Sequence, residues 1–310
     1  MDIRSKARHN NYVPLLIGYP ISEQEIHWQA LFIPINNFPG YGQKISGTNT
    51  WIGKLKEQPI IWAQTRNSSY RNFYGRGAFH HRISTAKVLI IGIGAIGSMV
   101  ATTLVRGGVI DVVLIDHDVK EPENICRSEY GFLPGITSKV QELTNRLTAI
   151  SPFVSVKSSE DLIDLFKVVV NGSETGWINA VKSHLDKYDI IFDCSTDNDI
   201  AFLLGMLDLK AEVFSFSITN NARELICGVK LNLYSWLQYI FHQLGQEMED
   251  LYAPAGCWNP TFRASYNDIA VLVQFALCHI NSCFKAEKPI RHFYLSCADA
   301  DGFEIKLREF

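Results

Sequence analysis

The chain has 310 residues, of which 47% are hydrophobic and 20% are charged, and its formal net charge is −3. This length suffices for one large domain, or for one domain and a smaller companion. No basic excess indicates a nucleic-acid-binding surface, and no acidic tail indicates disorder, so we expect no nucleic-acid partner.

Residues 1–80 are predicted to form a small, strand-rich N-terminal segment. Short strands are expected in "HWQALFIPI" and "PIIWAQT", with a connection rich in Gly and Asn between them. We expect Trp28, Trp51 and Trp62 to pack a small core, with a partner-binding face as the alternative. The first residues lack a long apolar stretch followed by a cleavage site, so no secretory signal is predicted.

Strands and helices alternate from Lys87 onward. "KVLIIGI" predicts a buried strand, Ala95–Val105 a helix, "VIDVVLID" a second strand, and "TSKVQELTNRLTAI" a helix capped by Thr137 or Ser138. Further strands are expected in "DIIFDCS", "EVFSFSI", "LICGVKLNL", "RHFYLSC" and "FEIKLREF", with a short helix near Ile200–Leu209 and a long one in "ASYNDIAVLVQFALCHINSCF". Residues 81–310 are therefore predicted to adopt an α/β, Rossmann-like fold with a mostly parallel sheet and helices on both faces.

Residues 88–105 form 18 consecutive uncharged residues, which is near membrane-spanning length. Three glycines and two threonines interrupt this run. Backbone broken by G-x-G is not tolerated in lipid unless other protein covers it. We therefore predict a strand, a turn and a helix here, and no membrane partner.

Gly92, Gly94 and Gly97 form a G-x-G-x-x-G pattern between the first strand and its helix. Glycine lets the backbone approach a phosphate closely, and the helix N-terminus supplies N–H groups. Asp116 ends the second strand, where an acid can bind ribose hydroxyls. The pattern alone leaves open NAD, FAD, ATP, or a tightly packed turn without a ligand.

Asn124, Arg127 and Lys139 follow the second strand. A dinucleotide does not need cations at this place, whereas a nucleoside triphosphate needs its charge neutralised and its leaving pyrophosphate stabilised. Lys139 lies near a helix N-terminus, where the macrodipole disfavours a purely structural cation. The alternative is that Arg127 and Lys139 are solvated surface charges.

The combined pattern "GIGAIGS…LIDHDVKEPENICRSEY…SK" resembles the ThiF/MoeB-like adenylation domain, which is shared with ubiquitin-activating enzymes. The resemblance covers roughly residues 70–225. It implies an adenylyltransferase that uses ATP and Mg²⁺ to activate the C-terminal carboxylate of a ubiquitin-like modifier ending in glycine. It also implies a homodimer.

The resemblance assigns roles to individual residues. Asp116 holds the ribose, Asp197 in "FDCSTDND" coordinates Mg²⁺, and Arg76 in "NFYGRGAFHHRIS" reaches a phosphate, often across a dimer. Arg76 and Lys139 are the candidate catalytic cations. The complete nucleotide site implied is Gly92, Gly94, Gly97, Asp116, Asp118, Asn124, Arg127, Lys139, Asp197 and Asn198.

The seven cysteines contain no C-x-x-C pair, so we expect no structural zinc of the kind found in sulfur-carrier members. Their odd number and the lack of a secretory signal favour reduced thiols in the cytoplasm. Cys257, in a loop near residues 250–262, is the candidate thioester-forming residue, because a loop thiol before a helix N-terminus has a lowered pKa. Cys126 ranks second, and a buried structural role for Cys257 is the alternative.

The segment "GCWNPTF" around Cys257 resembles an element of bacterial antiphage activating enzymes that are fused to or paired with conjugating-enzyme-like proteins. A conjugating-enzyme-like protein is therefore the expected partner, and residues 1–80 are expected to be a remnant or docking domain, or part of a longer protein. Three other functions stay open: an adenylyltransferase without a thioester, a nicotinamide-dependent oxidoreductase, and a non-catalytic scaffold.

Overall fold

The computed structural model describes residues 12–23, 25–34, 40–53, 60–133, 135–159, 175–244, 264–298 and 303–310. The chain divides into two compact units, Met1–Arg76 and Gly77–Phe310.

The first unit is built mainly from antiparallel strands. Its described strands are β1 (Tyr12–Ser22), β2 (Glu25–Pro34), β3 (Gly40–Ile45), β4 (Thr48–Gly53) and β5 (Ile61–Ala63). β2 lies between β1 and β5 in a three-stranded sheet, and β3 and β4 form a separate hairpin. A short helix, α1 (Tyr70–Tyr74), follows.

The expectation that tryptophans pack a small core is wrong for Trp28 and Trp62, which are 53% and 58% exposed. The side chain of Trp51 lies outside the description. Trp28 pairs with Gly18 on β1, and its ring lies against the space that a Gly18 side chain would fill. A sheet buries a face only where a second layer covers it. Trp28 therefore packs along its own sheet.

The second unit contains an eight-stranded sheet. Its strands are β6 (Lys87–Ile91), β7 (Asp111–Ile115), β8 (Ser155–Ser158), β9 (Ile190–Asp193), β10 (Glu212–Thr219), β11 (Glu224–Val229), β12 (Phe293–Ala298) and β13 (Glu304–Glu309). Its described helices are α2 (His81–Ser84), α3 (Ala95–Arg106), α4 (Pro122–Ile125), α5 (Lys139–Ile150), α6 (Thr175–Leu185), α7 (Asn198–Met206), α8 (Leu233–Gln243) and α9 (Tyr266–Lys285).

The strand order is β13-β12-β11-β10-β9-β6-β7-β8. The pairs from β8 to β10 are parallel, and those from β10 to β13 are antiparallel. One apolar cluster joins the sheet to α3, α5 and α9, and a second joins it to α6, α7 and α8. The predicted α/β, Rossmann-like fold with helices on both faces is confirmed.

Alternating residues of β6 explain its continuous apolar run. Val88 and Ile90 belong to the first cluster, whereas Leu89 and Ile91 belong to the second. The uncharged run 88–105 is divided between β6 and α3, as expected. None of the described helices is both long and apolar enough to cross a membrane.

β6 lies at a switch point of the parallel half. The chain runs from β6 to β7 and β8 on one side, and then reaches β9 on the other side of β6. Ligands of open α/β sheets bind at the carboxyl ends of the strands at such a point. The turns that follow β6, β7 and β9 therefore define the candidate site.

Candidate active site

The three glycines of the turn after β6 meet different surroundings. Gly92 has φ +75°, and a Cβ there would lie 2.6 Å from the Cα of Ser195. A Cβ on Gly97 would overlap the carbonyl oxygen of Gly92. Around Gly94, no atom of the described residues other than its chain neighbours lies within 4 Å of the position that a Cβ would take. The first and third glycines thus permit close packing, while the middle one faces open space at the N-terminus of α3.

A chain of hydrogen bonds connects this turn to the segment after β7. Ile93 N–H donates to Asp116 Oδ2 at 2.8 Å, and Asp118 N–H donates to Asp116 Oδ1 at 2.8 Å. The Nζ of Lys139 donates to Asp118 Oδ2 at 2.7 Å, and its backbone N–H donates to Asp118 O at 3.1 Å. Asp116, Asp118 and Lys139 therefore lie together beside the glycine turn.

Lys139 is not a solvated surface charge. Its side chain is only 9% exposed, whereas that of Asp118 is 53% exposed. Lys139 is the first residue of α5, and the N-cap residue Ser138 makes no side-chain cap bond. The hydrogen bond from Lys139 lowers the pKa of Asp118. The fold thus holds a buried ammonium where the helix dipole opposes it, and Asp118 offsets that cost.

Asn124 and Arg127 lie in and just after α4, next along the same segment. The Oδ1 of Asn124 accepts a hydrogen bond from Glu121 N–H at 2.9 Å, which completes a capping box. The Arg127 side chain is half-buried. No described residue pairs with its guanidinium. Arg127 therefore has its charge available for a ligand.

A buried ion pair that sequence reasoning missed fixes the ends of this segment. The side chain of Lys120 is 2% exposed, and its Nζ lies 2.5 Å from Glu142 Oε2 and 2.7 Å from Gly131 O. Glu142 also accepts from Gly131 N–H at 2.8 Å and from the Thr137 hydroxyl at 3.0 Å. Burial would raise the pKa of Glu142, but these donors outweigh it and the net pKa is lowered.

Two residues of "RSEY" connect the segment to other elements. The Tyr130 hydroxyl donates to Ile93 O at 2.5 Å, inside the glycine turn, and burial raises the pKa of this tyrosine. Glu129 is buried, pairs with Arg146 at 2.5 Å and accepts a hydrogen bond from the hydroxyl of Tyr266, the first residue of α9. The motif was noticed in the sequence, but these contacts could not be predicted from it.

A buried carboxylate, that of Asp193, lies at the end of β9. Asp193 is 1% exposed, and its oxygens accept hydrogen bonds from the Ser195 hydroxyl at 2.6 Å and the Ser215 hydroxyl at 2.7 Å. Burial raises its pKa. The next turn places Thr196 at φ +57°, a conformation that is strained for a β-branched residue. No local pattern of residues predicts this arrangement.

Asp197 and Asn198 lie exposed after this turn, at the start of α7. Asp197 is the N-cap, and its Oδ1 accepts from Asp199 N–H at 2.8 Å and from Ile200 N–H at 3.4 Å. Its other carboxylate oxygen has no partner among the described residues. One exposed carboxylate oxygen fits a Mg²⁺ ion, which prefers oxygen ligands and keeps water or phosphate on its remaining positions.

A cavity of about 410 Å³ adjoins Asp116. It lies between the ends of β7 and β8 and the first turns of α5, where Ser138, Gln141, Asn145 and Ser158 contribute polar groups. Volumes of this order suit small-molecule ligands. Sequence reasoning had not included these lining residues, because they lie on otherwise ordinary surfaces of α5 and β8.

Residues 66–209 match the model of the ThiF family, and this stretch contains the glycine turn, the Asp116–Lys139 segment and Asp197. The chain contains a ThiF family domain.

Relatives of this ThiF domain include proteins with longer chains. The chain is 26% identical over 279 residues to an "ATP-dependent ubiquitin transferase-like protein Cap2" of Enterobacter hormaechei, and this match covers 82% of this chain and 44% of that protein. It is 30% identical over 133 residues to "Ubiquitin-like modifier-activating enzyme 5" of Caenorhabditis elegans, and this match covers 39% of this chain and 32% of that protein. The chain thus spans less than half the length of these curated relatives.

The fold is shared with a solved structure of Escherichia coli MccB with ATP, at a TM-score of 0.51 and 16% sequence identity. The match covers 74% of this chain and 64% of that chain. It extends the likeness to the fold beyond the ThiF domain, and at this identity it supports the fold alone.

The predicted roles of two site residues, Arg76 and Cys257, are not tested by the described structure. Arg76 is exposed and ends the first unit. Cys257 and the loop near residues 250–262 lie outside the described residues. The described cysteines include the exposed Cys126 and the buried Cys194, whose pKa burial raises well above its usual value. The roles of Arg76 and Cys257 stay predictions.

Proposed function

We propose that this chain is an ATP-dependent adenylyltransferase that activates the C-terminal carboxylate of a ubiquitin-like modifier. The observation that carries the proposal is the buried Lys139, held by Asp118 beside a glycine turn whose middle residue faces open space. A buried cation at a helix N-terminus is costly for folding alone. A polyphosphate at the turn would account for it.

ATP fits the site in an extended arrangement. The open face of Gly94 and the N–H groups of α3 receive phosphate, while Asp116 borders the cavity of about 410 Å³ that receives the nucleoside. Lys139 and Arg127 neutralise the phosphates, and the amide of Asn124 helps to orient them. Asp197 and Asn198 lie across the switch point, and a Mg²⁺ ion held by Asp197 would supply further neutralisation of phosphate charge.

The chemistry needs no protein base. The carboxylate of the modifier, already an anion at neutral pH, attacks the α-phosphorus of ATP, and the bond to pyrophosphate breaks. Pyrophosphate leaves and the modifier carries an acyl-adenylate. The site's contribution is to hold the two anions in line and to stabilise the charge on the leaving group, which suits a set of amides and cations.

Cys257 is proposed to take the activated modifier onward. Its thiolate attacks the acyl carbon, AMP leaves, and a thioester forms. The name of the Enterobacter relative, an ATP-dependent ubiquitin transferase-like protein with 26% identity over 82% of this chain, supports a transferase of this kind. The resemblance of "GCWNPTF" around Cys257 supports a bacterial antiphage conjugation system with a conjugating-enzyme-like partner. We further propose a homodimer in which Arg76 reaches the phosphates.

Nucleotide binding is tested with Lys139→Met, which keeps an unbranched side chain one atom shorter and removes its charge. We expect ATP·Mg²⁺ to raise the melting temperature of the wild type and to raise that of the variant much less. Exchange of labelled pyrophosphate into ATP, in the presence of a ubiquitin-like protein that ends in glycine, should fall about 100-fold or more. Lys285→Met, an exposed lysine at the end of α9, is the control and should behave like the wild type. Stabilisation by NAD alone would contradict the proposal.

The thioester is tested separately on a non-reducing gel after incubation with ATP and that ubiquitin-like protein. Cys257→Ala should retain pyrophosphate exchange and lose a thiol-sensitive adduct, while the exposed Cys278→Ala should form it. An adduct that persists in Cys257→Ala moves the nucleophile elsewhere. Exchange without any adduct in the wild type leaves an adenylyltransferase that stops at the acyl-adenylate.

A further inference from the structure

Three side chains with metal-binding atoms converge on residues that the nucleotide site does not use. His279 and Cys283 occupy successive turns of α9, and Glu309 lies on β13. The Nε2 of His279 is 3.2 Å from Glu309 Oε1 and 3.8 Å from Cys283 Sγ. All three ligand atoms lie within 4.8 Å of one another.

The two separations from His279 are close to those around a tetrahedral zinc ion, and the third lies within 4.8 Å. Bond lengths of roughly 2.3 Å to sulfur and 2.0–2.2 Å to nitrogen and oxygen put ligand atoms about 3.4–3.6 Å apart. The observed distances of 3.2 and 3.8 Å lie on either side of this range. We propose that His279, Cys283 and Glu309 bind a zinc ion, with water as the fourth ligand.

The surroundings suit such a site. Cys283 is 7% exposed and the His279 side chain 14%, whereas the Glu309 side chain is 44% exposed, so an ion can enter from the side of Glu309. The ring of Phe293 lies edge-on to His279 at 4.8 Å and fixes its orientation. Thiolate and imidazole select zinc over Mg²⁺ or Ca²⁺. On binding, the thiol proton of Cys283 passes to solvent.

The ion would bind a sheet edge to a helix. Among the described strands, β13 is at the end of the sheet and pairs only with β12. A zinc ion bound by Glu309 of β13 and by His279 and Cys283 of α9 would fix this edge of the sheet to the helix that packs on it. The lack of C-x-x-C pairs does not bear on this site, because its ligands come from one helix and a distant strand.

The experiment titrates Co²⁺ and Zn²⁺ into the metal-free full chain. We expect the wild type with Co²⁺ to show a thiolate-to-cobalt charge-transfer absorption. This absorption should disappear when Zn²⁺ displaces Co²⁺. Cys283→Ser should abolish this absorption, and its Zn²⁺ affinity should fall by more than the roughly 10–100-fold typical of outer-shell changes. Cys278→Ser, an exposed cysteine on the same helix, is the matched control and should retain both.

A second variant guards against misfolding of Cys283→Ser. Glu309→Gln alters only the exposed ligand, and we expect it to weaken Zn²⁺ binding while the charge-transfer absorption persists at higher Co²⁺. An absorption that survives Cys283→Ser, or Zn²⁺ binding unchanged in Glu309→Gln, overturns the proposal. So does a wild type without the absorption, since the three side chains would then form only a hydrogen-bonded cluster. These readouts are independent of ATP.

Discussion

Gly94 and Gly97 lie about one helical turn apart, yet a glycine is needed at each for a different reason. The space around Gly94 is open, whereas that around Gly97 is filled by the backbone of Gly92. We expect Gly94→Ala to keep the melting temperature within a few degrees of the wild type and to weaken ATP·Mg²⁺ binding, because a methyl group would occupy the path of a phosphate.

Gly97→Ala is the matched comparison. It should lower the free energy of unfolding by more than about 2 kcal/mol, in the range of an overpacked core position. Denaturant unfolding of both variants, with ATP titrations of the folded ones, checks the pair. Equal stability losses in the two variants would contradict the different roles.

Asp197 combines a proposed ligand role with a structural one. Its side chain caps α7, so Asp197→Ala should cost about 1 kcal/mol of stability in addition to any loss of activity. Asp197→Asn retains a capping oxygen and removes the charge. We expect pyrophosphate exchange to be lost in both variants, with the melting temperature lowered only in the alanine variant. Exchange at wild-type rates in Asp197→Asn would remove this carboxylate from the site.

At this scale the sequence predicted residues whose chemistry is unusual for their position. Lys139 is an example, because a lysine at a helix start conflicts with the macrodipole. Asp193, Tyr130 and Lys120 were not predicted. Their roles depend on partners 22, 37 and 22 positions away in the chain, Ser215, Ile93 and Glu142, and no local pattern records such pairs.

Among the elements, the segment between β7 and α5 depends on one buried ion pair. Lys120→Met leaves Glu142, whose side chain is only 11% exposed, without its cation, and we expect a loss of about 3 kcal/mol in the free energy of unfolding. The double variant Lys120→Met/Glu142→Gln should recover part of this loss, because no uncompensated charge then remains.

Chemical denaturation of the two variants and of Glu142→Gln completes a double-mutant cycle. A coupling energy near zero would mean that Lys120 and Glu142 stabilise the segment independently. Weaker ATP binding in the folded Lys120→Met protein would show that the same pair orders Asn124 and Arg127.

The bounds of elements with a strong hydrophobic pattern were predicted well. The bounds of an element that ends at a residue with an unusual backbone conformation were not. The helix expected at Ala95–Val105 forms as α3, because its start is set by the glycine turn. "LICGVKLNL" was expected to be one strand, but β11 ends at Val229 and α8 begins at Leu233. Asn232 has φ +54°, a left-handed conformation that a strand cannot continue through. The leucines on both sides of Asn232 made the segment look like a continuous strand in the sequence.

For the molecule as a whole, we expect a loss of stability in acid to which Glu142 contributes. Its folded pKa is below its unfolded value of about 4.3. The stabilisation is therefore fully present above that pH and is lost as the pH falls through the folded pKa. Asp193, whose pKa is raised, acts in the opposite direction: its contribution is complete below about pH 3.9 and is lost as the pH rises through its folded pKa.

Denaturant unfolding between about pH 3 and 7 measures the effect of Glu142. Glu142→Gln should flatten the acid limb of the stability curve. Glu304→Gln, at an exposed site on β13, is the control and should leave the limb unchanged. A limb of equal slope in Glu142→Gln and the wild type would show that other carboxylates govern the acid response.

The crowding around Gly92 and Gly97 has a consequence for how such chains diverge. A descendant that no longer binds any nucleotide would still need both of these glycines, since their replacement would destabilise the fold. Only Gly94 would be released to drift. The first and third glycines of the motif are thus kept for packing whether or not a nucleotide binds. Only the middle glycine distinguishes a chain that still binds a nucleotide from one that does not.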